Sequence, residues 1–291
     1  MGIQREGEYY TKTNEHHHDQ IDLEARGLAW LAEAQEIGGA HVVDMVAHGP
    51  GRLRLRAIPS STCTRDAAHA FGHALARTHA AGAPYYGAPP RGWNGDGWMG
   101  NARLTYATSN APARSWGEFY AHDRLLPILA PARDNGSITA HGCAIVEHLC
   151  AKLADGAYDH ALPALITAPA ARLHGDLWSG NVVWAPSVEL TWAPRTAGRD
   201  PDRDDSLPTV VGVLIDPAAQ GGHAETDLAS LGIFGQPYLD AIYDGYNSVS
   251  KLADGWRERV GLHQLHMLLV HANLFGGGYG YESVACAKRY A

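Results

Sequence analysis

One stretch constrains this chain more than anything else in it: His174-Gly-Asp-Leu-Trp-Ser-Gly-Asn181, followed by Asp216 at the end of the apolar run Val210-Val-Gly-Val-Leu-Ile215. Asp176 and Asn181 stand five residues apart, and Asp216 comes thirty-five positions after Asn181. Two carboxylates and an amide gathered at one point can orient a hydroxyl and hold a divalent cation. The pattern calls for a loop that feeds a β-hairpin whose second strand returns Asp216 to the loop.

Phosphoryl transfer needs this set. In protein kinases the loop H-R-D-L-x-x-x-N sets an aspartate beside the acceptor hydroxyl and an asparagine on magnesium, and a second aspartate after a strand completes the metal site. Asp176 takes the position of the base, and Asn181 and Asp216 those of the magnesium ligands. The bland alternative is a capped turn of solvated polar residues.

The rest of the chain can be laid out around that loop. Glu8–Thr13 reads as a strand, Ile21–Ile37 as a helix stopped by Gly38-Gly39, and His41–Ala47 and Arg52–Ile58 as two strands across a Gly-Pro-Gly turn. Asp66–Ala81 reads as a helix. Ser115-Trp-Gly-Glu118 has the spacing of a capping box and opens another, with Pro127 expected to kink or end it. Helices are expected over 140–153, from Asp227 and over 261–274, and a long mobile hairpin loop over 185–209. The fold class is α+β: a small β-rich N-lobe at 1–58 and a large, mainly helical C-lobe at 59–291.

Composition removes other classes. The 291 residues are 45% hydrophobic and carry 23 basic against 31 acidic side chains, a net charge of −8, so disorder and a basic nucleic-acid-binding surface are poor fits. No apolar run reaches the roughly 20 residues of a membrane span, and Met1–Glu8 is not a signal peptide. Cys63, Cys143, Cys150 and Cys286 form no C-x-x-C pair and read as reduced thiols, so the expected location is cytoplasmic.

With these residues in view, the chain resembles the fructosamine kinase family, within the group of aminoglycoside phosphotransferases and choline kinases. The likeness rests on Leu173–Asn181, Ile215-Asp-Pro-Ala218, Gly222–Ala229 and Phe234-Gly235. It extends through Leu23–Leu31, Leu75–His79, Trp116–Tyr120 with Arg124-Leu125, and Asn273–Gly276, nearly the whole chain. The resemblance implies a protein-kinase-like two-lobed fold, with ATP between the lobes and Mg²⁺ as cofactors. It implies Asp176 as base, Asn181 and Asp216 on magnesium, Trp178 against a sugar-amine substrate, and Lys12 on the ATP phosphates paired with Glu24. A strand lysine and an early helix glutamate joined by a short loop could meet in any case. His271 and Asn273 fall where the family's substrate cleft would be lined; His223 and Glu225 could meet substrate or brace their loop. His174 and His79 are expected to be structural. The implied reaction phosphorylates ketoamine adducts, a deglycation repair. A kinase of an aminoglycoside or choline-like compound, and a non-catalytic scaffold, are the alternatives.

Three departures qualify the resemblance. Eleven residues precede Lys12, so the N-lobe is expected to lack the glycine-rich hairpin over ATP, through a late start or an incomplete lid. Arg56 stands where relatives carry an acidic residue near the adenine hinge, and the 185–209 insertion is long. Gly95-Asp-Gly-Trp-Met-Gly100 matches a phosphate-loop spacing but follows Lys12 and is read as a flexible connection near the substrate cleft. His16-His-His-Asp19 lacks remote metal ligands, and Asp200–Asp205 lacks the glycine and glutamate of a calcium loop.

Overall fold

The computed structural model describes residues 2–110, 112–199 and 206–291. Its first element is one the sequence reading left out. β1 (Gly2–Glu6) pairs antiparallel with β2 (Tyr9–Thr13), so Lys12 lies on the second strand of a hairpin. After α1 (His18–Ala32) come β3 (His41–Val42), β4 (Met45–Gly49) and β5 (Arg52–Arg56). β1, β2, β5 and β4 form an antiparallel sheet in that order. β5 shows why it folds: Leu53 and Leu55 are buried in the core that holds Ile21, Leu28 and Leu31 of α1, and the alternating arginines face away.

The run 41–47 is two strands. At buried Val43 the chain crosses between sheets: β3 pairs parallel with β10 (Val210–Leu214), while β4 turns back onto β5. Asp44, at the crossing, pairs with Arg56 at 3.1 Å. Apolar alternation looks the same on either side of such a crossing, so the sequence could not mark it.

The helical part opens with α2 (Arg65–Ala80), whose cap Thr64 accepts the Ala67 N–H at 3.1 Å. β6 (Gly97–Met99) and β7 (Ala102–Leu104) form a hairpin, so the glycine-rich stretch 95–100 is an ordered turn and not a flexible connection. α3 (Trp116–Phe119) carries the expected capping box, with Ser115 and Glu118 bonded reciprocally. It passes through a wide turn at Tyr120–Leu125 into α4 (Leu126–Asp134). Pro127 falls in the first turn of α4, where a missing N–H breaks no bond, and the helical path continues through it.

α5 (Ala140–Ala154), β8 (Ala171–Leu173) and β9 (Val182–Pro186) precede β10; β11 (Gln220–Gly222), α6 (Ala224–Ser230), α7 (Leu239–Val249), α8 (Trp256–Phe275) and α9 (Tyr279–Ala287) follow it. β9 and β10 are the expected antiparallel hairpin, and β11 pairs with β8. α2 and α7 meet backbone to backbone, because a side chain on Gly72 would collide with the Ile242 carbonyl and one on Gly245 with that of His69.

One core joins α1, the N-terminal sheet, α2, α7 and the β9–β10 hairpin; a second joins α3–α5, α8 and α9. The first crosses the 58/59 line, and Arg172 of β8 reinforces the crossing by donating to the Trp30 carbonyl at 2.5 Å and to Glu33 at 3.1 Å. The described part of 185–209 is not a free loop. Leu190 and Ala197 are buried, Gly198 N–H donates to the Gly39 carbonyl at 2.8 Å, and Trp192 lies under Arg56. Asp200–Asp205 lie outside the described residues. Cys63, Cys143, Cys150 and Cys286 are unpaired and buried. No helix of the described residues is long and apolar enough to cross a membrane.

Candidate active site

The loop from His174 to Asn181 is held by hydrogen bonds at both ends. Asp227 of α6, buried at 1% exposure, accepts the His174 N–H at 2.7 Å and the Gly175 N–H at 3.0 Å, and lies 3.2 Å from His79. Gly175 has φ +84° and packs against the Ala218 carbonyl, a position closed to any side chain. His174 accepts the Asp176 N–H at Nδ1, so its Nε2 carries the proton and donates to the Ile215 carbonyl at 2.8 Å. His174 and His79 thus have the structural roles expected of them. One imidazole ties the loop to the strand that delivers Asp216.

Asn181 Nδ2 donates to the Asp176 carbonyl at 2.8 Å and to its Oδ2 at 3.1 Å, which fixes the carboxylate and leaves the amide oxygen for a cation. Burial pushes the Asp176 carboxyl up to about 7; the Asn181 bond opposes this, and the charges of Asp216 and Asp227 add to it. A base that titrates there suits proton transfer near neutrality. Asp216 has φ +54°, a left-handed conformation that residues bearing a side chain seldom adopt and functional sites tolerate.

Lys12 joins the lobes. Its ammonium lies 2.7 Å from Glu24 and 2.5 Å from Asp216. Burial alone would lower Lys12, but the two carboxylates outweigh it and raise it, so the lysine is charged. Burial raises Glu24, against the pull of Lys12. Lys12 and Asp216 border two cavities. One, about 480 Å³, is walled by Val43, Leu55, Ile58, Val183 and Ile215. The other, about 270 Å³, holds Asp176 and Asn181 and is walled by Trp98, Gly100, Trp178, Gln20 and Leu23. Arg56 borders the larger one with its charge turned to Asp44.

Four expected residues line neither cavity. His223 and Glu225 are buried at 0% and 3%: the imidazole accepts the Glu225 N–H and caps α6, and the carboxylate is gripped by Arg259 at 2.7 and 3.0 Å. Substrate cannot reach either. His271 bonds back to the Met267 carbonyl and stacks on Phe234, which in turn meets the edge of Trp178; Asn273 offers its carbonyl to Asn135. Conversely, Asp227, Gln20 and Trp98 were not singled out. Asp227 lies in the quoted Gly222–Ala229 stretch, but Gln20 and Trp98 carry no spacing signal that ties them to Asp176.

The fructosamine kinase family model matches residues 2–290. The chain is 30% identical over 292 residues to a Synechocystis protein named probable ketoamine kinase, an alignment that covers 99% of this chain and 84% of that one. A crystal structure from Thermobifida fusca, assigned as a fructosamine-3-kinase, superposes with a TM-score of 0.77 at 37% identity, covering 97% of this chain and 85% of that one. An ADP-bound aminoglycoside phosphotransferase shares the fold alone, at a TM-score of 0.56 and 9% identity, with 99% and 93% covered. In sequence and in fold, this chain belongs to the fructosamine kinase family.

Proposed function

We propose that this chain transfers the γ-phosphoryl group of ATP to a sugar hydroxyl of a ketoamine. The observation that carries the reading is the posture of Asp176: fixed by Asn181, poised near neutrality, and facing a cavity walled by two tryptophans beside Lys12 and Asp216. The names of the relatives point to ketoamines, and the cavity suits them. Trp98 and Trp178 offer flat apolar faces to a sugar ring or to the stem of its amine.

The apolar walls of the larger cavity receive the nucleobase, and its phosphates run toward Lys12, whose charge is set by Glu24. The acceptor hydroxyl enters the smaller cavity, donates to Asp176 and attacks the γ-phosphorus as that carboxylate takes its proton, and the bond from phosphorus to the β,γ-bridging oxygen breaks to release ADP. Asn181 keeps the carboxylate oriented through the step. The amide oxygen of Asn181 and the carboxylate of Asp216 are hard donors that fit magnesium, which when bound supplies neutralisation of phosphate charge. The phosphorylated adduct is less stable than its parent and releases the amine, which makes the activity a deglycation repair.

Purified protein should form ADP from Mg-ATP in the presence of fructosyl-lysine or ribulosyl-lysine, and not with choline or an aminoglycoside. Equal turnover on the latter pair would move the substrate class. Nucleotide binding without turnover on any of the four would remove the catalytic reading.

A further inference from the structure

Away from both cavities, three Lewis-basic atoms from three separate elements converge. They are Nε2 of His160, on the segment after α5, Oε2 of Glu225 on α6, and Nε2 of His263 on α8. Their mutual distances are 3.3 Å from His160 to Glu225, 3.4 Å from His263 to Glu225 and 3.3 Å between the two imidazoles. A tetrahedral zinc ion with ligands at about 2.0–2.1 Å sets its ligand atoms roughly 3.3–3.4 Å apart. The triangle has the edge of that tetrahedron.

The protons sharpen the match. His160 Nδ1 lies 2.7 Å from the Tyr158 carbonyl, which only accepts, so Nδ1 holds the hydrogen and the neutral ring turns a lone pair into the triangle. His263 Nδ1 lies 2.9 Å from the Thr226 hydroxyl oxygen, which can accept in the same way. Both imidazole lone pairs and a carboxylate oxygen then face one another with no donor among the three, and the second lone pair of that oxygen accepts from Arg259 Nε at 3.0 Å. A proton can satisfy one edge of such a triangle; a cation at its centre satisfies all three.

The surroundings have the form of an outer shell. Each ligand's second polar atom is fixed: His160 by Tyr158, His263 by Thr226, and Glu225 Oε1 by Arg259 at 2.7 Å. His223 is committed through both nitrogens, to the Glu225 N–H and the Ala161 carbonyl, and serves as a wall. Trp116 packs against all three imidazoles, with ring centroids 4.6, 4.9 and 5.9 Å away, and its indole N–H is buried without a hydrogen-bond partner. Water at a fourth coordination position would give the indole an acceptor.

We propose that His160, Glu225 and His263 bind a divalent cation of the zinc class, with water as fourth ligand. Two imidazoles and one carboxylate select zinc over magnesium. The ion ties the segment after α5, α6 and α8 together, and α6 carries the Asp227 that holds the catalytic loop. Its role is therefore structural, and the proposal does not depend on which substrate is phosphorylated. His160, the most exposed of the three at 8%, marks the entry path.

The full chain, stripped by chelator dialysis, should bind one equivalent of Zn²⁺ by calorimetry. Its Tm should rise by about 5 °C when free zinc stands a hundredfold above its dissociation constant. Co²⁺ in place of zinc should give the intense visible bands of tetrahedral coordination. His160→Ala should lose the equivalent, the Tm shift and the bands while keeping the far-UV circular dichroism; His263→Gln is the second variant, should the first not fold. Absence of both the Tm shift and the tetrahedral spectrum in the unsubstituted protein would overturn the proposal. So would binding that survives in either folded variant, which would locate the ion at a site such as His16-His17-His18.

Discussion

The protein contains two polar clusters built on opposite terms, one opening on cavities and one enclosed. Around Asp216, the carboxylates and the lysine border cavities, Asp176 is left without a cationic partner, and a non-glycine residue holds a left-handed backbone. Around Glu225, every polar atom points inward and the one negative charge is matched by Arg259. Burial shifts Asp176 up and does not prevail at Glu225, where the Arg259 guanidinium and the neighbouring imidazoles hold the carboxyl well below its usual range. A cleft that must receive a substrate keeps unfulfilled groups at some cost in stability; a cluster that joins elements turns its charges toward one another.

The largest contrast is kinetic. Asp176→Asn removes the proton acceptor and keeps the shape, and should lower kcat by about 10²–10⁴-fold with little change in nucleotide binding, measured by coupled ADP release and by calorimetry with ATP. Arg259→Met should do the reverse. It leaves Glu225 buried without its cation and should cost about 3–5 kcal/mol in urea unfolding of the chelator-dialysed protein, while kcat per folded molecule stays near that of the parent. A loss of activity larger than the loss of folded protein would mean that the two clusters are coupled through α6 more tightly than Asp227 alone implies.

Their visibility in the sequence differs for the same reason. Asp176 and Asn181 lie on one loop because one loop must present both to a substrate, and a hairpin returns Asp216, so three groups fall in a short recognisable pattern. The Lys12–Glu24 pair could be read from a strand, a short loop and a helix start, but the contact of Lys12 to Asp216 spans the chain and has no spacing signal. His160, Glu225, Arg259 and His263 come from three elements, and no spacing constrains them. Read singly, Glu225 could serve substrate or brace its loop, and the sequence does not separate the two. The fold was legible where a cap signal opens a helix, as at Ser115. It was illegible where one apolar run serves two sheets, as at Val43, and where β1 shows no apolar face, its five residues all being exposed.

The pH dependence of stability should have opposite signs at the two clusters. Asp176 is raised to about 7 by burial, so the folded state holds its proton more tightly than the unfolded chain does. Its contribution is fully present below about pH 4 and is lost as pH rises through 7. Asp176→Asn lacks this loss and should be more stable than the parent at pH 8 by on the order of 2 kcal/mol, the partial exposure of the carboxyl considered, with the gap narrowing by more than half at pH 5 and closing below about pH 4. Glu225 is lowered, so its contribution is present above its unfolded value of about 4.3 and fades as pH falls. Parallel stability curves for the parent and Asp176→Asn between pH 5 and 8 would count against a poised Asp176.

The smallest effect separates two tryptophans. Trp178 lies over the backbone of Gly180, meets Phe234 edge-on at 5.6 Å and turns its remaining surface to the cavity with Asp176. Trp116 is walled in by imidazoles and meets no cavity that contains Asp176. An aromatic face against a sugar-amine is worth on the order of 1 kcal/mol in ground and transition state alike, so Trp178→Ala should raise KM for the ketoamine by about fivefold and leave kcat and the KM for ATP near those of the parent. Trp116→Phe should leave both Michaelis constants unchanged and lower Tm. If Trp178→Ala instead lowered kcat at constant KM, the ring would be holding the catalytic loop against Phe234, and the division between a cleft that binds and a cluster that braces would have to be drawn inside the loop itself.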